Sequence, residues 1–305
     1  MIAAVTVGVF AGVFAMAAIN SSIVQRIDAA VNEELSHIQV NSPGFRGSSD
    51  IANVIDGPEE VVSVLQETPG VTNITERIIV RGIASTSAGS AGVEITGIDV
   101  EKEEQMFTLK DRLIPGTGSY FGTDTRLNSA FIGEKLAKEL YIIRYILTEE
   151  SFATLEAEGV PAALVEKLRP LENQRFTTEK KLSEVFSGLL TEKEVKLYGM
   201  KIKEAAWSYR EGSKVILTFL DADGTQTGAA FRISGIFRTN NDFFEAFSVF
   251  VPRDELLRLT GMEEGQYHRI IARLEDDDLT DKASASVREA LPGLEVMNWK
   301  QIQTD

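Results

Sequence analysis

Val64-Leu65-Gln66-Glu67-Thr68-Pro69-Gly70-Val71 holds a helix end, a break and a strand start within eight residues. Val287-Arg288-Glu289-Ala290-Leu291-Pro292-Gly293-Leu294 repeats that plan near the other end of the chain. Proline cannot continue a helix and glycine accepts left-handed backbone, so Pro-Gly is a strong stop in both places. Around the first stop, Pro58 opens the helix, and Glu59 and Glu60 suit the positive end of its dipole. Val61, Val62, Val64 and Leu65 supply its apolar face, with strands at Ser36–Val40 before it and Val71–Ala84 after it. The breaker-rich loop 41–57 joins the first strand to the helix. Around the second stop, His268–Leu274 reads as a strand and Leu279–Leu291 as a helix behind Glu275-Asp276-Asp277-Asp278. Leu294–Trp299 reads as the closing strand. Two βαβ halves make a split, ferredoxin-like α+β sheet with its helices on one face. The halves stand about 180 residues apart, so a second unit is inserted between them.

The insert starts strand-rich. Gly92–Val100 alternates, and Lys214–Leu220 and Ala229–Phe237 flank the turn Asp221-Ala222-Asp223-Gly224. Gly82–Gly92 (GIASTSAGSAG) reads as a flexible hairpin connection. A helical insertion runs from about 141 to 211, with Pro161 in a first turn and a capping box at Thr191 and Glu194. Leu182, Val185, Phe186, Leu189 and Leu190 form an apolar face, which predicts three or four short helices in a small bundle. The loop Asn240–Phe247 carries Phe243, Phe244 and Phe247. These rings either contact an apolar partner or close the core of the insert; the second account is the simpler, and the first makes them the candidate partner-contact residues.

At the N-terminus Ile2–Ile19 is almost unbroken apolar sequence, and no charge occurs before Arg26. Eighteen helical residues span roughly 27 Å, close to the bilayer's hydrocarbon thickness. A signal peptide would need a basic leading region, and a buried core helix would show a polar stripe, so a transmembrane helix is the favoured reading. Ile19, Ile23, Ile27, Val31 and Leu35 then recur every four residues among acidic side chains, an amphipathic stalk continuing from the span. The uncharged N-terminal edge leads to the expectation that the chain is part of a longer one.

The net charge of −15 argues against nucleic acid as a partner. The absence of cysteine removes thiolate catalysis, cysteine–zinc sites and disulfides. The sequence holds no P-loop and no nucleophile elbow. Its two histidines, His37 and His268, start neighbouring antiparallel strands and so fall at opposite ends, which reads as structural use. Asp221–Gly224 lacks the spacing of a calcium loop, and Glu275–Asp278 is accounted for by the helix that follows. No cofactor, metal or catalytic residue is expected, and the chain is not read as an enzyme.

Several segments, in order, resemble one family: Gln25-Arg26-Ile27; Glu34-Leu35-Ser36-His37-Ile38-Gln39-Val40; Gly92-Val93-Glu94-Ile95-Thr96-Gly97-Ile98-Asp99; Ile132-Gly133-Glu134-Lys135-Leu136-Ala137; Gly212-Ser213-Lys214-Val215-Ile216-Leu217-Thr218-Phe219; and Phe231-Arg232-Ile233-Ser234-Gly235-Ile236-Phe237. The chain is similar to the first transmembrane helix and MacB-like periplasmic core domain of MacB/LolC/LolE-type, FtsX-like ABC transporter permeases. The resemblance implies a transmembrane helix at 1–22, a stalk at 23–35, a porter-like subdomain at 36–90 and 252–305, and a sabre-like subdomain at 91–251. It also implies four membrane spans per permease, a homo- or heterodimer of permeases, and a separate or fused ATPase. The main domain then lies on the extracytoplasmic side of a bacterial inner membrane. ATP-driven motion is expected to pass through the stalk toward lipoprotein release or an efflux partner. The chain departs from the pattern in its helical insertion, where the family has a short link, and in ending soon after Trp299. A single-span anchored sensor or binding module is the alternative reading.

Overall fold

The computed structural model describes residues 30–48, 50–122, 128–210 and 212–303, together with Phe14 and Met16. Among these are twelve strands: β1 Ile38–Asn41, β2 Val71–Ser85, β3 Ser90–Ile98, β4 Ser129–Gly133, β5 Ile143–Ile146, β6 Arg175–Phe176, β7 Trp207–Tyr209, β8 Lys214–Leu220, β9 Gln226–Phe237, β10 Ser248–Pro252, β11 Arg269–Leu274 and β12 Glu295–Asn298. Most of the Ile2–Ile19 run, with Ile23 and Ile27 of the stalk repeat, lies outside the described residues. Among the described residues no helix is long and apolar enough to cross a membrane.

The split sheet forms as the two Pro-Gly stops predict. Its order is β12-β1-β11-β2, antiparallel throughout. The helices Pro58–Glu67 and Thr280–Ala290 cover one face. There Val61, Leu65, Ala283 and Val287 pack on Ile38, Val40, Ile270, Ala272 and Leu274. The side chains on that face alternate with Gln39, Asn41, Arg269, Ile271 and Arg273 on the other, as period-two pleating requires. Gly70 stands at φ +87°, the left-handed turn out of the first helix.

The inserted unit is a barrel. β2, β3, β10, β4, β9 and β8 pair in sequence, and β8 returns to β2 through Gly82↔Phe219 to Ser85↔Ile216. Closure gives each of these strands a partner on both edges and encloses Ile78, Val80, Val93, Ile95, Val215, Leu217, Phe219, Phe231, Val249 and Val251. Gly82 sits at the seam, where a Cβ would meet the Thr218 carbonyl oxygen at 2.4 Å. Gly82–Ala84 and Ala91–Gly92 are therefore strand, and only residues 86–89 make the hairpin tip; the stretch is not a flexible connection. Two ordered strands locked by cross-strand pairing replace the loop that its small residues suggested.

β2 belongs to both units. Val71–Arg77 pairs with β11 in the split sheet, and Ile78–Ser85 pairs with β3 in the barrel. A cluster of Ile98, Met106, Phe107, Phe131, Phe237, Phe244, Phe250 and Ile271 fills the space where the barrel wall meets the second face of the split sheet.

The insertion after Leu140 holds helices at Glu149–Ala157, Ala162–Leu168, Glu179–Leu189 and Glu192–Ala206. They enclose their own core of Phe152, Leu155, Leu164, Val165, Leu168, Leu182, Phe186 and Ile202. The Thr191–Glu194 capping box forms, with the Glu194 carboxylate accepting from the Thr191 N–H at 2.7 Å. A small sheet, β6-β5-β7, accompanies the helices and was not expected from the sequence. Of the expected apolar face, Leu182, Phe186 and Leu190 are buried in this core, whereas Val185 and Leu189 are exposed.

Candidate functional site: the stalk junction

Of the segment that the sequence reading expects to be a stalk, the described residues include Val31–Leu35, a π-helical turn in which the Ser36 N–H bonds the Val31 carbonyl at 3.0 Å. Ser36 then carries the chain into β1 at φ 55°, ψ −166°. That backbone is costly for any residue with a Cβ, by about 1–3 kcal/mol, and persists only where surrounding contacts fix it. Here the Ser36 hydroxyl donates to the Ala272 carbonyl of β11 at 3.1 Å, and Gln39 reaches back to the Leu35 carbonyl at 2.9 Å.

Three consecutive stalk residues bind three different places. Asn32 accepts at its carbonyl from the Thr108 N–H at 3.0 Å, and its side-chain oxygen accepts from Arg273 of β11. Buried Glu33 accepts from Arg112 Nε at 2.7 Å. Glu34 accepts from Asn241 Nδ2 at 3.0 Å. Burial raises the Glu34 carboxyl above its usual range, partly offset by that hydrogen bond and by the Arg77 and Arg269 charges. The split sheet, the segment Leu109–Arg112 beside the barrel, and the start of the Asp242–Phe247 helix thus all hold the turn Val31–Leu35.

The phenylalanine segment belongs to this junction and is a short helix, not a loop. Asn241 caps it by accepting from the Phe244 N–H at 3.1 Å, while its amide binds Glu34. The close seat of this helix depends on Gly133, whose Cβ would meet the Glu245 carbonyl oxygen at 2.1 Å. Phe244 packs against Phe237 at 5.5 Å between ring centroids and belongs to the inter-unit core. Phe243 is 73% exposed and stacks on the half-buried Phe247 at 5.5 Å. The three rings therefore do not form one surface.

A second fixture lies where β2 crosses between units. Arg77 and Glu103 are both buried and pair through Nε and Nη2 at 2.7 Å each, with Thr75 donating to the same carboxylate at 3.3 Å. The Arg77 guanidinium also lies over the Phe107 ring at 4.7 Å. Beside it Lys102 bonds Glu76 at 2.7 Å. Glu103 stands on the helix Val100–Met106, capped by Asp99, so the strand expected over Gly92–Val100 ends earlier, at Ile98. Aspartate followed by three glutamates and a lysine within five residues is a helix-start signal that was available there.

The histidines stand apart, as the antiparallel register Ile38↔Ala272 requires. His37 Nδ1 accepts from the Leu274 N–H at 3.2 Å, and burial lowers its pKa. His268 is fully buried, stacks on Phe45 at 4.7 Å and takes part in the β2 crossing. Asp221–Gly224 is the β8–β9 turn, with Asp221 accepting from the Asp223 and Thr225 N–H groups. Asp276 and Asp277 begin the last long helix, and Asp277 also accepts from Trp299 Nε1 at 2.6 Å. Among the described residues no cluster of three or more His, Asp or Glu is placed to hold a metal.

No family model matches the chain. No curated protein matches it either. Among solved structures it aligns with the extracellular domain of the ABC-type transporter YknZ from Gram-positive bacteria, at 11% identity and a TM-score of 0.42, over 86% of this chain and 99% of that one. It also aligns with the periplasmic region of MacB from Actinobacillus actinomycetemcomitans, at 12% identity and a TM-score of 0.38, over 88% of this chain and 90% of that one.

Proposed function

We propose that this chain is the extracytoplasmic, force-transmitting part of an ABC transporter permease. The observation that carries the reading is the binding of Asn32, Glu33 and Glu34 to separate elements of both units. A passive tether needs no such fastening. A lever does, because force applied to the stalk reaches the rest of the domain only through contacts that hold under load. The shared strand β2 and the buried Arg77–Glu103 pair then oblige the split sheet and the barrel to respond together.

In this reading the chain is not an enzyme, and ATP is hydrolysed by a cytoplasmic ATPase subunit or fused domain. The permease works as a homo- or heterodimer in the bacterial inner membrane, and the moving domain acts on a lipoprotein or on an efflux partner. Sequence resemblance favours the lipoprotein-releasing branch.

The test uses the complete permease reconstituted with its ATPase, spin-labelled through Asp223→Cys, with any cysteine outside residues 1–305 replaced, since these residues hold none. The label-to-label distance between permease copies is expected to change on ATP addition. A Glu33→Ala/Arg112→Ala variant is expected to retain ATPase activity and lose that change. An unaltered distance change in the variant, or none in the parent, contradicts the proposal.

A further inference from the structure

The helical insertion carries a surface that the force-transmitting reading does not use. On the helix Glu192–Ala206, the residues Lys193, Lys196, Leu197, Met200 and Glu204 share one outward face at three- and four-residue spacing. Leu197 is 59% exposed and Met200 73% exposed, the latter as open as any large apolar side chain described. The face leads into a groove of about 440 Å³ lined by Tyr145, Glu179, Met200, Lys203, Glu204 and Trp207. Its rim is set by the Lys203–Glu179 pair at 2.7 Å.

Charge says what would sit there. The chain as a whole is strongly acidic, at −15, yet on the face named above two Lys stand against the single Glu204. Lys193 and Lys196, which lie on the N-terminal side of the two apolar side chains with Glu204 on the other, take part in no ion pair among the described residues, whereas Lys167, Lys180 and Lys203 do. An exposed apolar stripe bordered by unpaired lysines matches a ligand with the converse pattern. Methionine suits such a face because its flexible thioether adapts to different apolar shapes. A concave groove with aromatic walls admits an inserted side chain, which a flat lipid surface does not supply.

We propose that this face docks an acidic, amphipathic protein segment, with a leucine or aromatic side chain in the Tyr145–Trp207 groove and carboxylates on Lys193 and Lys196. The occupant is a separate polypeptide. The proposal stands on the insertion alone and holds whether or not the stalk transmits force.

The test titrates the full chain in detergent with three probes: a fluorescein-labelled helix-forming peptide with leucine and phenylalanine on one face and glutamate on the other, its lysine counterpart, and phosphatidylethanolamine vesicles containing phosphatidylglycerol. The acidic peptide is expected to bind, to quench Trp207 fluorescence and to weaken with added salt. Lys193→Glu/Lys196→Glu is expected to raise its Kd by about tenfold or more. Met200→Ser, which keeps the charge, should weaken it as well. No binding of the acidic peptide, equal binding of the lysine peptide, or an unchanged Kd in the charge-reversed variant overturns the proposal. Binding to vesicles alone would assign the face to a membrane, and concentration-dependent self-association abolished by Met200→Ser would assign it to a second copy; either overturns it.

Discussion

His268 Nδ1 accepts a hydrogen bond from the Ile79 N–H at 2.9 Å, two residues past the last β2 residue paired with β11. On that edge β2 has left the split sheet and does not meet β8 until Gly82. The imidazole fills the gap in the ladder, with its own N–H on Nε2 donating to the Ile51 carbonyl at 2.9 Å. Both ring nitrogens are committed to the neutral form, because a proton on Nδ1 would oppose the Ile79 N–H.

This makes the crossing acid-sensitive. Burial lowers the His268 pKa to about 4, against an unfolded value near 6.5. The unfolded chain therefore binds a proton first, and stability falls as pH drops from about 6.5 toward about 4. The loss near pH 5 is about 2 kcal/mol from this residue. His268→Gln keeps an acceptor and a donor without titrating. Urea unfolding at neutral pH and near pH 5 should show a drop in the parent about 2 kcal/mol larger than in the variant; equal drops would exclude His268 as the cause.

Arg77 and Glu103 should behave as a pair. Glu103→Ala leaves a buried guanidinium without its carboxylate and should cost about 3–5 kcal/mol. Arg77→Met combined with Glu103→Leu removes both charges and should recover most of that loss. A double variant as unstable as the single one, in denaturant unfolding, would show that the pair's hydrogen bonds rather than its charge balance dominate.

The insertion is anchored to the barrel by Tyr209, whose hydroxyl donates to Glu134 at 2.5 Å beside Arg238. Hydrogen bonds from Arg238, Tyr209 and Lys138 outweigh burial and lower the Glu134 pKa to about 2. Tyr209→Phe should destabilise by about 1.5–3 kcal/mol, since the bond goes to a charged acceptor. It should also raise the Glu134 pKa, read by carboxyl-carbon NMR titration. An unmoved Glu134 titration would mean that the hydroxyl contributes nothing to holding that charge.

Much of the split sheet was legible because its signals are local. Pro58, the two Pro-Gly stops and the alternating strands each act within a few residues, and β1, β2, β11 and β12 follow them. Barrel closure was not legible. It rests on Gly82 meeting Phe219, a pairing across more than a hundred residues that no local pattern announces. The junction was half-legible: the spacing of Val31 and Leu35 predicted a helix entering the first strand, but Glu33 meeting Arg112 and Glu34 meeting Asn241 are long-range contacts between ordinary surface-type residues. Asn241 two residues before Phe243 was a readable helix cap, and it would have separated the core ring Phe244 from the exposed Phe243.

Ser36 offers a measure of strain at the junction. Ser36→Ala loses the hydroxyl bond to Ala272 and keeps the unfavourable backbone, whereas Ser36→Gly loses the bond and relieves the backbone. The glycine variant should therefore be more stable than the alanine variant by about 1–2 kcal/mol. Equal stabilities in thermal unfolding would show that the left-handed conformation costs little here.

If force enters this domain at Val31–Leu35, that junction with β1 is rigid. Amide hydrogen exchange across residues 31–41, followed by mass spectrometry on the full chain, tests it most directly. Protection of the Val31–Asn41 segment is expected to be comparable to that of β11, with marked loss of protection in Glu33→Ala/Arg112→Ala. Exchange of residues 31–36 at the rate of an open loop in the parent protein would contradict it, and the stalk would then be a tether.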